Sequence, residues 1–162
     1  IGKEALYSNT TSSSSTAVGN YSLKNSNGFY NTAVGTYSLY SNTSGARNVG
    51  IGLNSLFTNT TGSYNTAIGY QSITGNTSGA SNTALGYQTL RINTTGSNNV
   101  AIGQSSLSLN TSGNNSTAVG YETLKSATGS SNTALGLQRV HMVRLLQQGI
   151  IIRFWERNHI VH

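Results

Sequence analysis

Gly2, Gly19, Gly35, Gly52, Gly69, Gly86, Gly103, Gly120 and Gly136 recur at intervals of 17 residues, except for two intervals of 16. Each follows an apolar residue and most close an Ala-Ile-Gly type of tripeptide. A unit this short cannot enclose a core of its own, so it must bury its apolar face on the copies before and after it. The chain is therefore expected to be a stack of equivalent coils.

The unit reads Asn-Thr-Ala-(Ile/Val/Leu)-Gly-x-x-(Ser/Thr)-Leu-x-x-Asn-Thr-(Ser/Thr)-Gly-x-x, and Asn65 to Ser81 is a complete copy in which Ile73 stands for the usual leucine. One column holds Ile1, Val18, Val34, Ile51, Ile68, Leu85, Ile102, Val119 and Leu135. A second, five residues on, holds Leu6, Leu23, Leu39, Leu56, Ile73, Leu90, Leu107 and Leu124. Neither is ever polar, which predicts that both are core. The position after the second column varies through Tyr7, Lys24, Tyr40, Phe57, Thr74, Arg91, Ser108 and Lys125, and is expected to face solvent.

The apolar stretch is short, often β-branched, and bounded by glycine and Asn-Thr-Ser-Gly clusters, which favours short strands joined by turns. A second glycine, at Gly28, Gly45, Gly62, Gly79, Gly96, Gly113 and Gly129, precedes each marker by seven residues and is expected to supply positive φ in a turn. Both 16-residue units lose the residue ahead of this glycine, so the deletion falls in a turn. Asn42, Asn59, Asn76, Asn93 and Asn110 share one turn position, and Asn31, Asn48, Asn65, Asn82, Asn99 and Asn132 share another, aligned for amide ladders. The predicted fold is all-β, a parallel β-solenoid or β-roll of 17-residue repeats over residues 1–136. At parallel-strand spacing, about eight units give a rod about 38 Å long.

Adjacent residues of a strand point to opposite faces, yet Ala67, Ile68 and their equivalents are apolar almost throughout. One face belongs to the interior of the coil. The other is expected to meet a neighbouring chain, giving a homo-oligomeric rod; the alternative is that the small alanine column simply allows close packing at a corner of a lone solenoid.

Asn65-Thr66-Ala67-Ile68-Gly69-Tyr70-Gln71-Ser72 and its copies resemble the head repeats of trimeric autotransporter adhesins. That resemblance covers Ile1 to Gly136 and implies a left-handed parallel β-roll of three intertwined chains. It also implies cell-surface or extracellular placement and a role in attachment. The array is similar, too, to the shafts of phage-type tail fibres that end in a self-cleaving chaperone domain, which would place it on a virion. The turn is longer here than in the usual adhesin head repeat.

Of the 162 residues only 35% are hydrophobic, so a globular core would be thin; the fixed register of the apolar columns nevertheless sets the chain apart from a disordered polar tract. Cysteine is absent, which removes disulfides, cysteine-based zinc sites and thiol nucleophiles. No aspartate occurs, which removes acidic calcium-binding repeats and any Ser-His-Asp triad. Glu4 and Glu122 share a column seven units apart, about 34 Å at strand spacing and beyond the reach of a glycosidase pair. Gly50-Ile51-Gly52 lacks the third glycine and the helix of a dinucleotide fingerprint. We expect no enzyme, and no catalytic, cofactor-binding or metal-ligating residue is assigned.

The net charge of +6 divides into +3 over residues 1–136 (Lys3, Lys24, Arg47, Arg91 and Lys125 against Glu4 and Glu122) and +3 in the last segment (Arg139, Arg144, Arg153 and Arg157 against Glu156). No basic stripe with interleaved aromatics lines the rod, so no nucleic-acid partner is expected. No apolar run approaches a membrane helix, so no membrane insertion is expected. The chain starts inside a repeat and is read as a fragment.

Exposed aromatics such as Tyr7, Tyr40, Phe57 and Tyr64 could stack on a surface glycan or on a host or biofilm component, but the ligand-binding residues stay unassigned. Two threonine columns, Thr43, Thr60, Thr77, Thr94 and Thr111, and Thr32, Thr66, Thr83, Thr117 and Thr133, raise a lesser ice-binding alternative. The second is interrupted by Val49 and Val100. Sequons begin at Asn9, Asn20, Asn42, Asn59, Asn76, Asn93, Asn110, Asn114 and Asn115, although turn chemistry accounts for them without glycans.

Residues 137–162 form an atypical tail that breaks the pattern and holds His141, His159, His162, Met142 and Trp155. Read one base earlier, the codons of Phe154, Trp155 and Glu156 give Leu-Gly whichever synonyms are used. With permitted choices, Leu146 to Arg157 becomes this chain's own turn and strand. The tail is thus expected to be a frameshifted continuation, and its nucleotide sequence should show ATA at Ile150, Ile151 and Ile152. Other isoleucine codons there would exclude the shift.

Overall fold

A computed structural model describes residues 1–11 and 13–137; residues 138–162, and with them the proposed frameshift, lie outside the described residues. The chain forms β1 (Thr16–Val18), β2 (Thr32–Val34), β3 (Val49–Ile51), β4 (Thr66–Ile68), β5 (Thr83–Leu85), β6 (Val100–Ile102), β7 (Thr117–Val119) and β8 (Thr133–Leu135). They make one parallel sheet in chain order, and no helix occurs among the described residues. Equivalent residues pair: Ala67 with Ala84, Ile68 with Leu85. The fold is a β-solenoid. Register survives both 16-residue coils, where Thr16 pairs with Thr32 and Thr117 with Thr133.

The interior differs from the expectation in one respect. The second aliphatic column is core, with Leu23, Leu39, Leu56, Ile73, Leu90 and Leu107 fully buried. The first is not: Val18, Val34, Ile51, Ile68 and Leu85 are 36–45% exposed, and the alanines before them are buried instead. A three-residue strand can turn only its middle side chain inward. The coil is narrow enough that alanine against leucine fills it. At β3 the middle residue is Gly50, and the Ser38 Oγ, bonded to Gly50 O and facing Ser55 Oγ at 2.8 Å each, lies where a methyl would sit.

Left-handed backbone explains how a coil this small closes. Gln71 (φ 53°) and Ile73 (φ 47°) flank Ser72, and the same two positions are left-handed in every coil. This breaks the two-residue alternation, so consecutive Ser72 and Ile73 both point inward. A left-handed residue tolerates a branched Cβ poorly, which explains why seven of the eight residues in this column are leucine.

The turn glycines do not have the positive φ expected of them. Positive φ belongs to the marker glycines, from 111° at Gly103 to 141° at Gly2. The turn glycines from Gly28 to Gly113 are required by crowding: a Cβ on Gly79 would meet Asn76 Oδ1 at 2.5 Å and Asn93 Nδ2 at 3.0 Å, and would also run into the carbonyl of Gly96. Contacts that close displace backbone, so any side chain is excluded there.

Those amides form the expected ladder. Asn59 Nδ2 donates to Asn42 Oδ1 (2.8 Å), Asn76 to Asn59 (2.7 Å), Asn93 to Asn76 (3.0 Å) and Asn110 to Asn93 (3.0 Å). Each of these Nδ2 atoms also donates to the turn glycine carbonyl three residues on, as Asn76 does to Gly79 O at 2.9 Å. In the second column, Asn65 Oδ1 accepts from the backbone N–H of Asn82 (3.0 Å), and Asn65 Nδ2 donates to the same Gly79 O (2.9 Å). The first ladder ends at the short coils, which carry Ser26 and Ala127 at its position. Among the described residues no buried side-chain nitrogen or oxygen lacks a partner.

Substituting Asn76→Ala should lower unfolding stability by about 2–4 kcal/mol, because buried ladder partners lose their bonds. Ile73→Leu should raise it by about 1 kcal/mol by relieving a β-branched left-handed residue. Urea unfolding followed by circular dichroism measures both.

Candidate interaction surface

With alanine turned inward, each strand presents its first and third residues outward. The outer face therefore carries two ranks with successive rungs about 4.8 Å apart. One is Thr16, Thr32, Val49, Thr66, Thr83, Val100, Thr117 and Thr133; the other is Val18, Val34, Ile51, Ile68, Leu85, Ile102, Val119 and Leu135. Two residues beyond the aliphatic rank, Leu53, Tyr70, Tyr87 and Tyr121 are 40–47% exposed. Their equivalents in the first coils are Lys3, Asn20 and Thr36, so the apolar surface is wider in the later coils, with Gln104 interrupting it.

The two threonine columns differ chemically. Turn hydroxyls are spent on backbone: Thr60 Oγ1 donates to Thr77 O at 2.8 Å and Thr94 Oγ1 to Thr111 O at 2.8 Å. Hydroxyls of Thr16, Thr32, Thr66, Thr83, Thr117 and Thr133 meet no protein partner among the described residues and are open to water.

Aromatic residues pair along the rod instead of spreading flat upon it. Tyr21 stacks on Tyr37 (centroids 5.0 Å, 7° between planes), Tyr40 on Phe57 (5.3 Å, 10°) and Tyr70 on Tyr87 (5.3 Å, 13°). Rings that cover each other's faces present edges outward, which weighs against flat stacking of a sugar on Tyr40 or Phe57. Tyr7 is 71% exposed, with Lys24 Nζ 5.9 Å from its ring centre. Tyr64 and Tyr30 enclose the Arg47 guanidinium at 5.4 and 5.3 Å, and Arg47 Nη1 donates to Tyr64 OH at 3.0 Å.

Glu4 pairs with Lys24 (2.8 Å) and Glu122 with Lys125 (2.7 Å), each within its own end of the rod. The hydrogen bond to Glu4 holds the Lys24 ammonium protonated above the usual lysine range, against a smaller desolvation effect, and Tyr21 does the same for Lys3. Because the folded pKa is raised, any stabilisation is complete below the unfolded value and is lost only as pH rises through the folded one. These pairs are half-buried at the surface, within reach of solvent screening, and contribute little at neutral pH.

The sequon asparagines Asn42, Asn59, Asn76, Asn93 and Asn110 are buried with their Nδ2 atoms engaged in the ladder, so the folded rod offers no glycan stripe there. Asn20 and Asn115 are exposed. Among the described residues no helix is long and apolar enough to cross a membrane.

No family model, curated protein or solved structure matches the chain. The surface must therefore be read from its own chemistry. The inward and outward positions are separated by one residue, and substitution distinguishes them: Ala67→Val should cost about 1–3 kcal/mol by overpacking, measured by the shift in urea midpoint.

Proposed function

We propose that this rod is the structural repeat region of a cell-surface or extracellular adhesin or fibre. It associates with further copies of itself, as a trimer, through the outer strand face, and attaches by weak contacts repeated along its length. The observation that carries the reading is the in-register aliphatic rank left outside the coil. Together with Leu53, Tyr70, Tyr87 and Tyr121 it lines the rod with exposed apolar and tyrosine side chains, the kind of surface that marks an interaction site. Variable turn residues remain outward for a glycan or another surface component. A virion tail-fibre shaft uses the same physics and is the alternative setting; no nucleic acid, membrane insertion or catalysis enters either reading.

A second reading, ice binding, is favoured by one observation: the strand threonines, in a rank interrupted by Val49 and Val100, keep hydroxyls without a partner among the described residues beside aliphatic groups. It requires a solvated face, whereas self-association requires a covered one.

Sedimentation analysis separates them. The chain should sediment as an oligomer at micromolar concentration, and Ile51→Lys with Ile68→Lys should convert it to a folded monomer with unchanged circular dichroism. A wild-type monomer would refute self-association, and thermal hysteresis from that monomer would establish the ice-binding alternative.

A further inference from the structure

Asn27–Gly28 is the sole Asn-Gly pair in the sequence, and the shortened coil creates it. In a 17-residue coil, a residue such as Ser44 or Thr61 stands between the turn threonine and the turn glycine. The coil from Gly19 to Gly35 lacks that residue, so Asn27, at the threonine position, directly precedes Gly28. Asn27 is exposed. Its Oδ1 faces three donors: Thr10 N at 3.1 Å, Thr10 Oγ1 at 3.3 Å and Thr11 Oγ1 at 3.4 Å. Its Nδ2 has no partner among the described residues. The Gly28 N–H rests on Ser26 Oγ at a long 3.3 Å.

We propose that Asn27–Gly28 is a self-modification site at which the folded coil promotes intramolecular deamidation. The Gly28 nitrogen gives its proton to hydroxide or a buffer base and attacks Asn27 Cγ, forming the ring N–C bond and placing negative charge on Oδ1. Collapse of this adduct breaks the Cγ–Nδ2 bond, and Nδ2 takes a proton from water and leaves as ammonia. Water then opens the succinimide at either carbonyl, giving aspartate or isoaspartate. One water is consumed, one ammonia is released and the net charge falls by one.

Three features act on this step. Glycine places no Cβ beside the attacking nitrogen. No described residue anchors the leaving amide. The three donors from the neighbouring coil sit where the oxyanion develops, the arrangement that stabilises charge in acyl-transfer sites. Buried ladder asparagines differ on the first two counts: Asn59 and Asn76 are followed by threonine, and their Nδ2 atoms each donate to two acceptors.

The test is mildly alkaline incubation of the purified chain in ¹⁸O-water, with peptide mass mapping over time, in the folded state and in urea. Asn27 should convert several-fold faster in the folded chain than in the unfolded one, while Asn59 and Asn76 stay intact in the folded chain. Thr10→Val with Thr11→Val removes two of the three donors and should bring the folded rate down to the unfolded rate, with circular dichroism confirming the fold. A folded wild-type rate at or below the unfolded rate overturns the proposal, as does a double variant as fast as wild type. Asn27→Gln serves as the unreactive control.

Discussion

The carbonyl of the turn glycine is the point at which the two sides of each coil are tied together. Gly79 O receives Asn76 Nδ2 from its own turn and Asn65 Nδ2 from the preceding coil, both at 2.9 Å. Asn65 in turn receives the backbone N–H of Asn82. Buried polar residues outnumber buried hydrophobic ones among the described residues, so apolar burial alone would leave this interior unstable. A buried amide without partners is costly, and the coil-on-coil register is the arrangement that gives all of them partners. One misplaced coil would break bonds in both ladders at once.

That polar interior determines the surface. With alanine, leucine and asparagine filling the coil, no room remains for the larger residue of each strand. The aliphatic rank is pushed outward, and the rod acquires a second apolar face without losing its own core. The ladders tie each coil to the next, while the apolar residues they leave outside form the surface on which the proposed association rests. The same scaffold can carry different surface chemistry along its length, as Lys3, Asn20 and Thr36 give way to Leu53, Tyr70 and Tyr87 in one column.

Much of this was legible in the residues. The period, the parallel register, the leucine column and the asparagine ladders follow from spacing, because each repeats at a fixed offset. Assigning Ile68 to the core did not follow, since invariance of apolar character is the same for a residue facing the interior and one facing outward. Only the alternation between Ala67 and Ile68 bore on that difference. The reason for the turn glycines did not follow either: sequence shows that a side chain is excluded at Gly79, but not whether φ or a neighbouring carbonyl excludes it. The left-handed leucines left a faint trace, the scarcity of branched residues in a column otherwise suited to them. No spacing rule signalled that the strand threonines would keep hydroxyls without a partner among the described residues while Thr60 and Thr94 spend theirs on backbone.

The direction of the amide rank has a further consequence. From Asn110 to Asn42 every Nδ2 donates towards the N-terminal coils, so each amide polarises the next in the same sense and the bonds reinforce one another cooperatively. A group in the middle of such a relay is strengthened from both directions, a group at its end from one. Ser26 and Ala127, which stand where the relay stops, occupy the positions at which losing an amide disturbs the fewest others.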